Sequence, residues 1–314
     1  MKRALTCLLI ATAACHPPVH TTPAPANASP AEVALSGASA MFGAGDIAVC
    51  GSQSHIQTAK LLDSLLRADS VAKVNDAVFT LGDNAYPDGA AADFALCWGA
   101  SWGDTSRRIM KKIHPTIGNH EDQSVGASPY FKYFGAIAGD PQKGFYSYTM
   151  GEWTVFVLNS ELVVNSQFSA ADQKAQEDWL RGQVKSAKLC SMAMWHNPRF
   201  SSGLHGSDVR FIPIWQILYD GGVDLALAGH DHSYERYAPQ TPLGIADSVK
   251  GVTEIVAGTG GGAFYGFRAP IANSVAQVQG HFGVLKLTLG KGEWSSAFID
   301  LNGSVWDVSR GKCH

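Results

Sequence analysis

Asp224-Leu225-Ala226-Leu227-Ala228-Gly229 runs an apolar, strand-like stretch straight into His230, Asp231 and His232. Short apolar runs closed by glycine read as buried strands, and α/β sheets collect ligands outside the carboxyl ends of such strands. Four other stretches repeat the arrangement. Ala40-Met41-Phe42-Gly43-Ala44-Gly45 leads to Asp46, Ala77-Val78-Phe79-Thr80-Leu81-Gly82 to Asp83, His114-Pro115-Thr116-Ile117-Gly118 to Asn119, and Ser191-Met192-Ala193-Met194-Trp195 to His196. A single Gly-Asp or Gly-Asn is ordinary turn chemistry, because glycine supplies φ > 0 and Asx side chains bond their own backbone. Turns alone do not account for the ordered set. The pattern predicts five strands that bring carboxylate, amide and imidazole groups together along one edge, the way a two-metal hydrolytic centre is built.

Helix-like segments lie between these strands. Ser54 to Ala68 places Ile56, Ala59, Leu62, Leu65 and Leu66 on one face, Ser169-Ala170-Ala171-Asp172 opens a segment running to about Lys185, and Phe211 to Tyr219 is stopped by Gly221-Gly222. Alternating strands and helices imply an α/β protein with mostly parallel sheet buried on both faces. From Thr253 the character changes: Thr253–Ala257, Gly283–Leu289 and Trp294–Leu301 read as strands separated by glycine turns, the antiparallel completion of a second sheet.

Composition fits one globular domain. Apolar residues make up 46% of the chain and aromatic residues 10%, with no internal apolar run long enough to span a bilayer. The N-terminus reads as an address. Lys2-Arg3 is a basic region, Ala4 to Ala11 is apolar, and small residues follow, so residues 1–14 are expected to be a signal peptide. Thr12-Ala13-Ala14-Cys15 resembles a bacterial lipobox, which makes Cys15 the expected site of lipidation. Residues 15–36, rich in Pro, Ala and Thr, read as a tether, and 37–314 as the catalytic domain. The protein is therefore expected outside the cytoplasm, touching a membrane only through a lipid anchor. Without Lys2 and Arg3 there are 22 basic and 27 acidic residues, so no nucleic-acid partner is expected. Cys50, Cys97, Cys190 and Cys313 remain for disulfides in an oxidising compartment. They allow three pairings; the favoured one joins Cys50 to Cys97, across the loops after Asp46 and Tyr86, and Cys190 to Cys313.

Gly45-Asp46, GDNAY (Gly82 to Tyr86), GNHE (Gly118 to Glu121), His196 and GHDH (Gly229 to His232) together resemble the calcineurin-like metallophosphoesterases. Tyr86, three residues after Asp83, and Tyr234-Glu235-Arg236 after GHDH place the likeness closest to the purple acid phosphatase branch, and His196-Asn197-Pro198-Arg199-Phe200-Ser201-Ser202-Gly203 is similar to its bacterial secreted members. The first motif departs from the plant and animal enzymes, with Ala48 where they usually carry glycine. The resemblance implies a sandwich of two mixed β-sheets flanked by helices, with a dimetal site at the strand carboxyl ends. It assigns Asp46, Tyr86 and His232 to one metal and Asn119, His196 and His230 to the other, with Asp83 bridging. Independently, two neighbouring ions need a shared carboxylate, whose two oxygens are expected to bind one ion each.

A thiolate-free O/N donor set suits Fe, Zn or Mn, and a phenolate at Tyr86 favours Fe(III) beside a divalent Zn, Fe or Mn ion. The expected reaction is hydrolysis of a small phosphomonoester by a metal-bound hydroxide, with phosphodiesters of nucleotides or lipid head groups as the alternative substrates. A non-catalytic anchored binding module is the remaining alternative, against which the intact ligand set argues. His120 is the candidate for orienting phosphate or protonating the leaving group, and His205 resembles a substrate-side histidine of the plant enzymes. Arg199 is expected in a surface ion pair, and His55, His114, His281 and His314 in structural or exposed positions.

Overall fold

The computed structural model describes residue 35 and residues 38–314. The expected signal segment 1–14, Cys15 and the tether 15–36, Leu35 apart, lie outside the described residues. Among the described residues no helix is long and apolar enough to cross a membrane.

Period-two alternation explains why the strands are apolar throughout. Met41, Phe79, Met192, Met194, Leu225 and Leu227 point into a core shared by two facing sheets. Their neighbours point the other way: Phe42 and Val78 pack beneath Ala59, Leu62 and Leu66 of the helix Ser54–Val71. Ala193, Trp195 and Ala226 meet Leu180 of the helix Ala170–Val184 and Ile214, Trp215 and Leu218 of the helix Ile212–Asp220. Both faces of each such strand are covered, so alternation in the sequence gives way to continuous apolar runs. The result is four layers, with helices outside and two sheets inside, the mixed α/β sandwich expected.

The six-stranded sheet runs in the order Val305–Lys312, Glu293–Asp300, Gly283–Leu289, Ser39–Ala44, Asn75–Thr80 and Ile113–His114. The seven-stranded sheet runs Ser274–Val278, Tyr234–Tyr237, Thr253–Ala257, Leu225–Ala228, Cys190–Met194, Trp153–Val157 and Tyr146–Met150. Two corrections follow. The ligand-bearing strands do not share one sheet edge: the first three lie in the six-stranded sheet and the last two in its partner, so the donors meet across the mouth of the sandwich. The strands after Thr253 do not complete a second sheet together. Thr253–Ala257 pairs in parallel with Leu225–Ala228, whereas Gly283–Leu289 returns to lie antiparallel to Ser39–Ala44.

Ser169 caps its helix reciprocally: the Asp172 amide donates to its hydroxyl at 3.3 Å and the Ser169 amide to the Asp172 carboxylate at 2.9 Å. Cys50 is bonded to Cys97 (Cα–Cα 5.0 Å) and Cys190 to Cys313 (Cα–Cα 5.2 Å). The second bond joins the start of a strand in one sheet to the chain just beyond an edge strand of the other, so it staples the sandwich closed.

Candidate metal centre

Asp46, Asp83 and His230 share a backbone feature that turns rarely require of such residues. Their φ angles are 60°, 50° and 70°, in the left-handed region. Such geometry costs about 1–3 kcal/mol per residue and persists where the surroundings impose it. Here the surroundings are the other motif loops. The amides of Asp46, Ile47 and Ala48 donate to the carbonyls of Gly82, Asp83 and Asn84 at 3.0, 2.8 and 3.0 Å. The His230 amide donates to Asp46 Oδ2 at 2.9 Å, and the Gly229 amide to the His196 carbonyl at 2.9 Å. Gly82 (φ 83°) lets the second loop pass the His196 ring, since a Cβ there would lie 2.5 Å from Nδ1. Ala48, at the departure from the plant pattern, sits buried in a two-residue parallel bridge with Ala85 and leaves Asp46 facing inward.

All seven predicted ligands converge. Tyr86 Oη lies 3.1 Å from Asp46 Oδ1, 3.0 Å from Asp83 Oδ2 and 3.2 Å from His232 Nε2. On the other side, His196 Nε2 lies 3.0 Å from Asn119 Oδ1, 3.2 Å from His230 Nδ1 and 3.2 Å from Asp83 Oδ2. Two trios therefore share one atom, Asp83 Oδ2. The expectation that Asp83 would offer one oxygen to each ion is corrected on this point, because Oδ1 accepts the His120 amide at 2.9 Å and only Oδ2 faces both trios.

These donors fit cations better than each other. His196 Nδ1 donates to the Leu81 carbonyl at 2.7 Å and His232 Nδ1 to the Ala263 carbonyl at 2.5 Å, so both rings present Nε2 lone pairs to the centre. The single proton of Tyr86 cannot serve two carboxylates and an imidazole at once. Without an ion, the carboxylates recruit protons instead. Burial works to lower His196, but the adjacent Asp83 carboxylate outweighs it and raises the imidazole to about 10. Burial, then Asp46 and Asp83, pushes the Tyr86 phenol well above its usual value, so a phenolate there needs a cation.

The model of the calcineurin-like phosphoesterase family matches residues 43–234, well over half of the chain. The chain belongs to the calcineurin-like phosphoesterase family. An uncharacterised protein of Mycobacterium tuberculosis is 28% identical over 218 residues, covering 57% of this chain and 41% of that protein. Human acid phosphatase type 7 is 26% identical over 202 residues, covering 55% of this chain and 43% of the enzyme. The chain thus spans about two fifths of the length of the curated relatives it matches. Among solved structures, the purple acid phosphatase from yellow lupin seeds superposes with a TM-score of 0.72 at 17% identity, over 88% of this chain and 54% of that one. GAP50, the anchor in the inner membrane complex of Plasmodium, gives 0.67 at 14% identity, over 88% and 89%. At such identities the structural likeness is one of fold. The family implies two metal ions, and the seven donors above are where a calcineurin-like chain would hold them.

Around this centre, His120 points its ring inward. Its Nδ1 contacts the Pro87 carbonyl, its ring lies 4.3 Å from that of Tyr86, and its Nε2 stands 3.7 Å from Asp83 Oδ2 with the side chain 29% exposed. His205 is exposed at the mouth, its ring 4.1 Å from that of His230. Asp231 turns away from the donors and accepts the amides of His205 at 2.8 Å and Gly206 at 3.3 Å as well as the Ser201 hydroxyl. Two more buried carboxylates hold the same loop. Glu254 accepts the amides of Arg199 and Phe200 at 2.9 and 2.8 Å, and Glu235 accepts that of Ser202 at 2.8 Å. Arg199 itself is a correction: it is 5% exposed, stacked 4.1 Å over Phe200 and donating to the Pro242 carbonyl, not in a surface ion pair.

The remaining histidines stay outside the donor set. His55 is buried, His114 stacks on Tyr148, His281 lies against Trp306, and His314 pairs with Asp224. Two residues of the site escaped sequence reasoning. Glu121 is fully buried and receives four hydrogen bonds from the second and third motif loops. Tyr265 stacks on His232. The Glu in GNHE was a usable signal for the first, since a carboxylate beside glycine-rich turns is a natural acceptor for their amides; Tyr265 had none.

Proposed function

We propose that this chain is a dimetal phosphomonoester hydrolase of the acid phosphatase type, with Fe(III) held by Asp46, Tyr86, His232 and Asp83, and a divalent ion held by Asn119, His196, His230 and Asp83. The observation that carries the reading is the division of seven O/N donors into two trios about Asp83 Oδ2. Two ions bound there supply positive charge for the phosphoryl oxygens and acidify the attacking water. The chain's own residues do the rest. His120, with Nδ1 held at the Pro87 carbonyl, presents Nε2 toward the centre and hands its proton to the departing alkoxide. His205 faces the substrate from the opposite rim. The test is a chromogenic phosphomonoester assayed beside the matching diester on protein of measured metal content. Preference for the monoester is expected, and turnover of the diester alone contradicts the reading.

Replacing His120 with Ala is expected to leave both ions bound and lower kcat by roughly 10²–10⁴-fold, the usual worth of a positioned acid. Loss of metal in that variant, read by elemental analysis, would make His120 a ligand. Tyr86 supports a spectroscopic expectation. A phenolate on Fe(III) absorbs visible light, so iron-loaded protein should be coloured and Tyr86→Phe should lose the band while keeping its fold. A band unchanged in Tyr86→Phe of equal iron content removes Tyr86 from the ligand set.

Export and anchoring through Cys15 belong to the same proposal and rest on the sequence alone. A labelled fatty acid should enter the wild type and not Cys15→Ser; equal labelling of both, or none in either, counts against the anchor.

A further inference from the structure

A glycine-rich strap crosses the metal end of the sandwich, and it is tied down at almost every residue. The amides of Gly260 and Gly262 donate to the carbonyls of Gly45 at 2.9 Å and Asp46 at 2.7 Å. Thr58 Oγ1 donates to the Gly260 carbonyl at 2.6 Å and Ser54 Oγ to that of Gly261 at 2.7 Å, both from the first turns of the helix Ser54–Val71. The Ala263 carbonyl takes the Nδ1 proton of His232. A Cβ on Gly262 would stand 2.7 Å from His232 Cε1, so only glycine lets the strap pass in contact with that imidazole. The strap is therefore bonded to two of the seven donor residues, Asp46 and His232.

Tyr265 follows two residues beyond Ala263. Its ring lies parallel on His232 (centroids 4.1 Å apart, 18° between planes) and edge-on to His205 (5.4 Å, 67°). His205 in turn lies against His230. Tyr265 thus connects a donor of one trio with the rim histidine beside the other trio, and it is half-buried at the mouth. Among the described residues its hydroxyl has no hydrogen-bond partner. Half-buried at the mouth, that hydroxyl is open to a ligand entering the site. A side chain set this firmly, on rigid backbone and beside the reacting centre, has the placement that a substrate-binding group requires. An oxygen-rich anion seated between the two trios would be the acceptor within reach of that phenol.

We propose that Tyr265 is a substrate-contacting residue whose hydroxyl donates a hydrogen bond to a non-bridging oxygen of the bound phosphoryl group. The proposal rests on the phosphoester-hydrolase reading, and its test is kept separable from that reading. Tyr265→Phe removes the hydroxyl and keeps the ring stacked on His232. Metal-loaded wild type and Tyr265→Phe are titrated with inorganic phosphate by calorimetry, their metal content is measured, and kcat and KM are determined for a chromogenic phosphomonoester.

The expected result is equal metal content with phosphate affinity lowered about 10-fold in the variant, the effect of one hydrogen bond to a charged acceptor, and a matching fall in kcat/KM. Equal phosphate affinity in the two proteins overturns the proposal. So does loss of metal in Tyr265→Phe, which would make the tyrosine a prop for His232, and so does failure of the metal-loaded wild type to bind phosphate. A wild type that binds phosphate but hydrolyses no phosphomonoester sinks the hydrolase reading instead, while the difference in phosphate affinity still decides the place of Tyr265.

Discussion

Asp83→Ala should bring phosphoester turnover to background and empty the centre of metal, the largest effect expected of any single substitution. Its Oδ2 is the one atom common to both trios, 3.0 Å from Tyr86 Oη and 3.2 Å from His196 Nε2, in a side chain only 2% exposed. Removing it would deprive both ions of an anionic ligand and leave the partly buried His120 amide without its acceptor. Asp83→Asn separates charge from shape: it preserves an oxygen for the amide but not the negative charge that holds two cations side by side. Elemental analysis of the purified variants reads the outcome directly. Two ions retained with near-normal kcat would remove Asp83 from the bridge.

Glu121→Ala should be the most destabilising substitution near the site. Glu121 Oε1 accepts the amides of Asn84 at 2.7 Å and Ala85 at 3.0 Å, and Oε2 accepts the Gly118 amide at 2.9 Å and the Asn84 side chain at 3.2 Å. One carboxylate thus joins the loop that carries Asp83 to the loop that carries Asn119. Truncation strands four buried donors, at a cost of about 3–5 kcal/mol. In a domain of this size that lowers the melting temperature by roughly 10 °C. Metal affinity should fall with it, because the two loops lose their common tie. Glu121→Gln, which keeps one oxygen, should fall between. A Glu121→Ala protein melting with the wild type would show that water or a shifted loop satisfies those donors.

The strand ends were readable because four of the five short apolar runs stop at a glycine before the donor, and that local chemistry is written in neighbouring residues. Which sheet a strand joins is not local. Cys190–Met194 and Leu225–Ala228 look in sequence like Ser39–Ala44 and Asn75–Thr80, yet in the opposite sheet they pair with each other and with Trp153–Val157 and Thr253–Ala257, partners that lie beyond each strand's own sequence neighbourhood. The hairpin Tyr146–Met150 and Trp153–Val157 went unread because the first strand is an exposed edge with Ser147 and Thr149 among its aromatics, too polar for a core signal. The edge strand Val305–Lys312 escaped for the same reason.

At the site, residue types named the donors that converge, but which atoms face one another was beyond sequence. That one Asp83 oxygen and not two faces both trios follows from the His120 amide, which occupies the other. Asp231 stands between His230 and His232 in sequence, and its carboxylate accepts the His205 amide behind them. Tyr265 was invisible, since nothing in a glycine-rich run says where its next aromatic ring will fall.

The central claim is a two-ion centre that performs the chemistry, and metal stoichiometry measured together with turnover on one sample tests it most directly. Wild-type protein should carry two ions per chain, lose phosphomonoester hydrolysis when a chelator strips them, and regain it on reloading with iron and a divalent ion. Undiminished hydrolysis by the stripped protein, or saturation at a single ion with all seven donors intact, would contradict it.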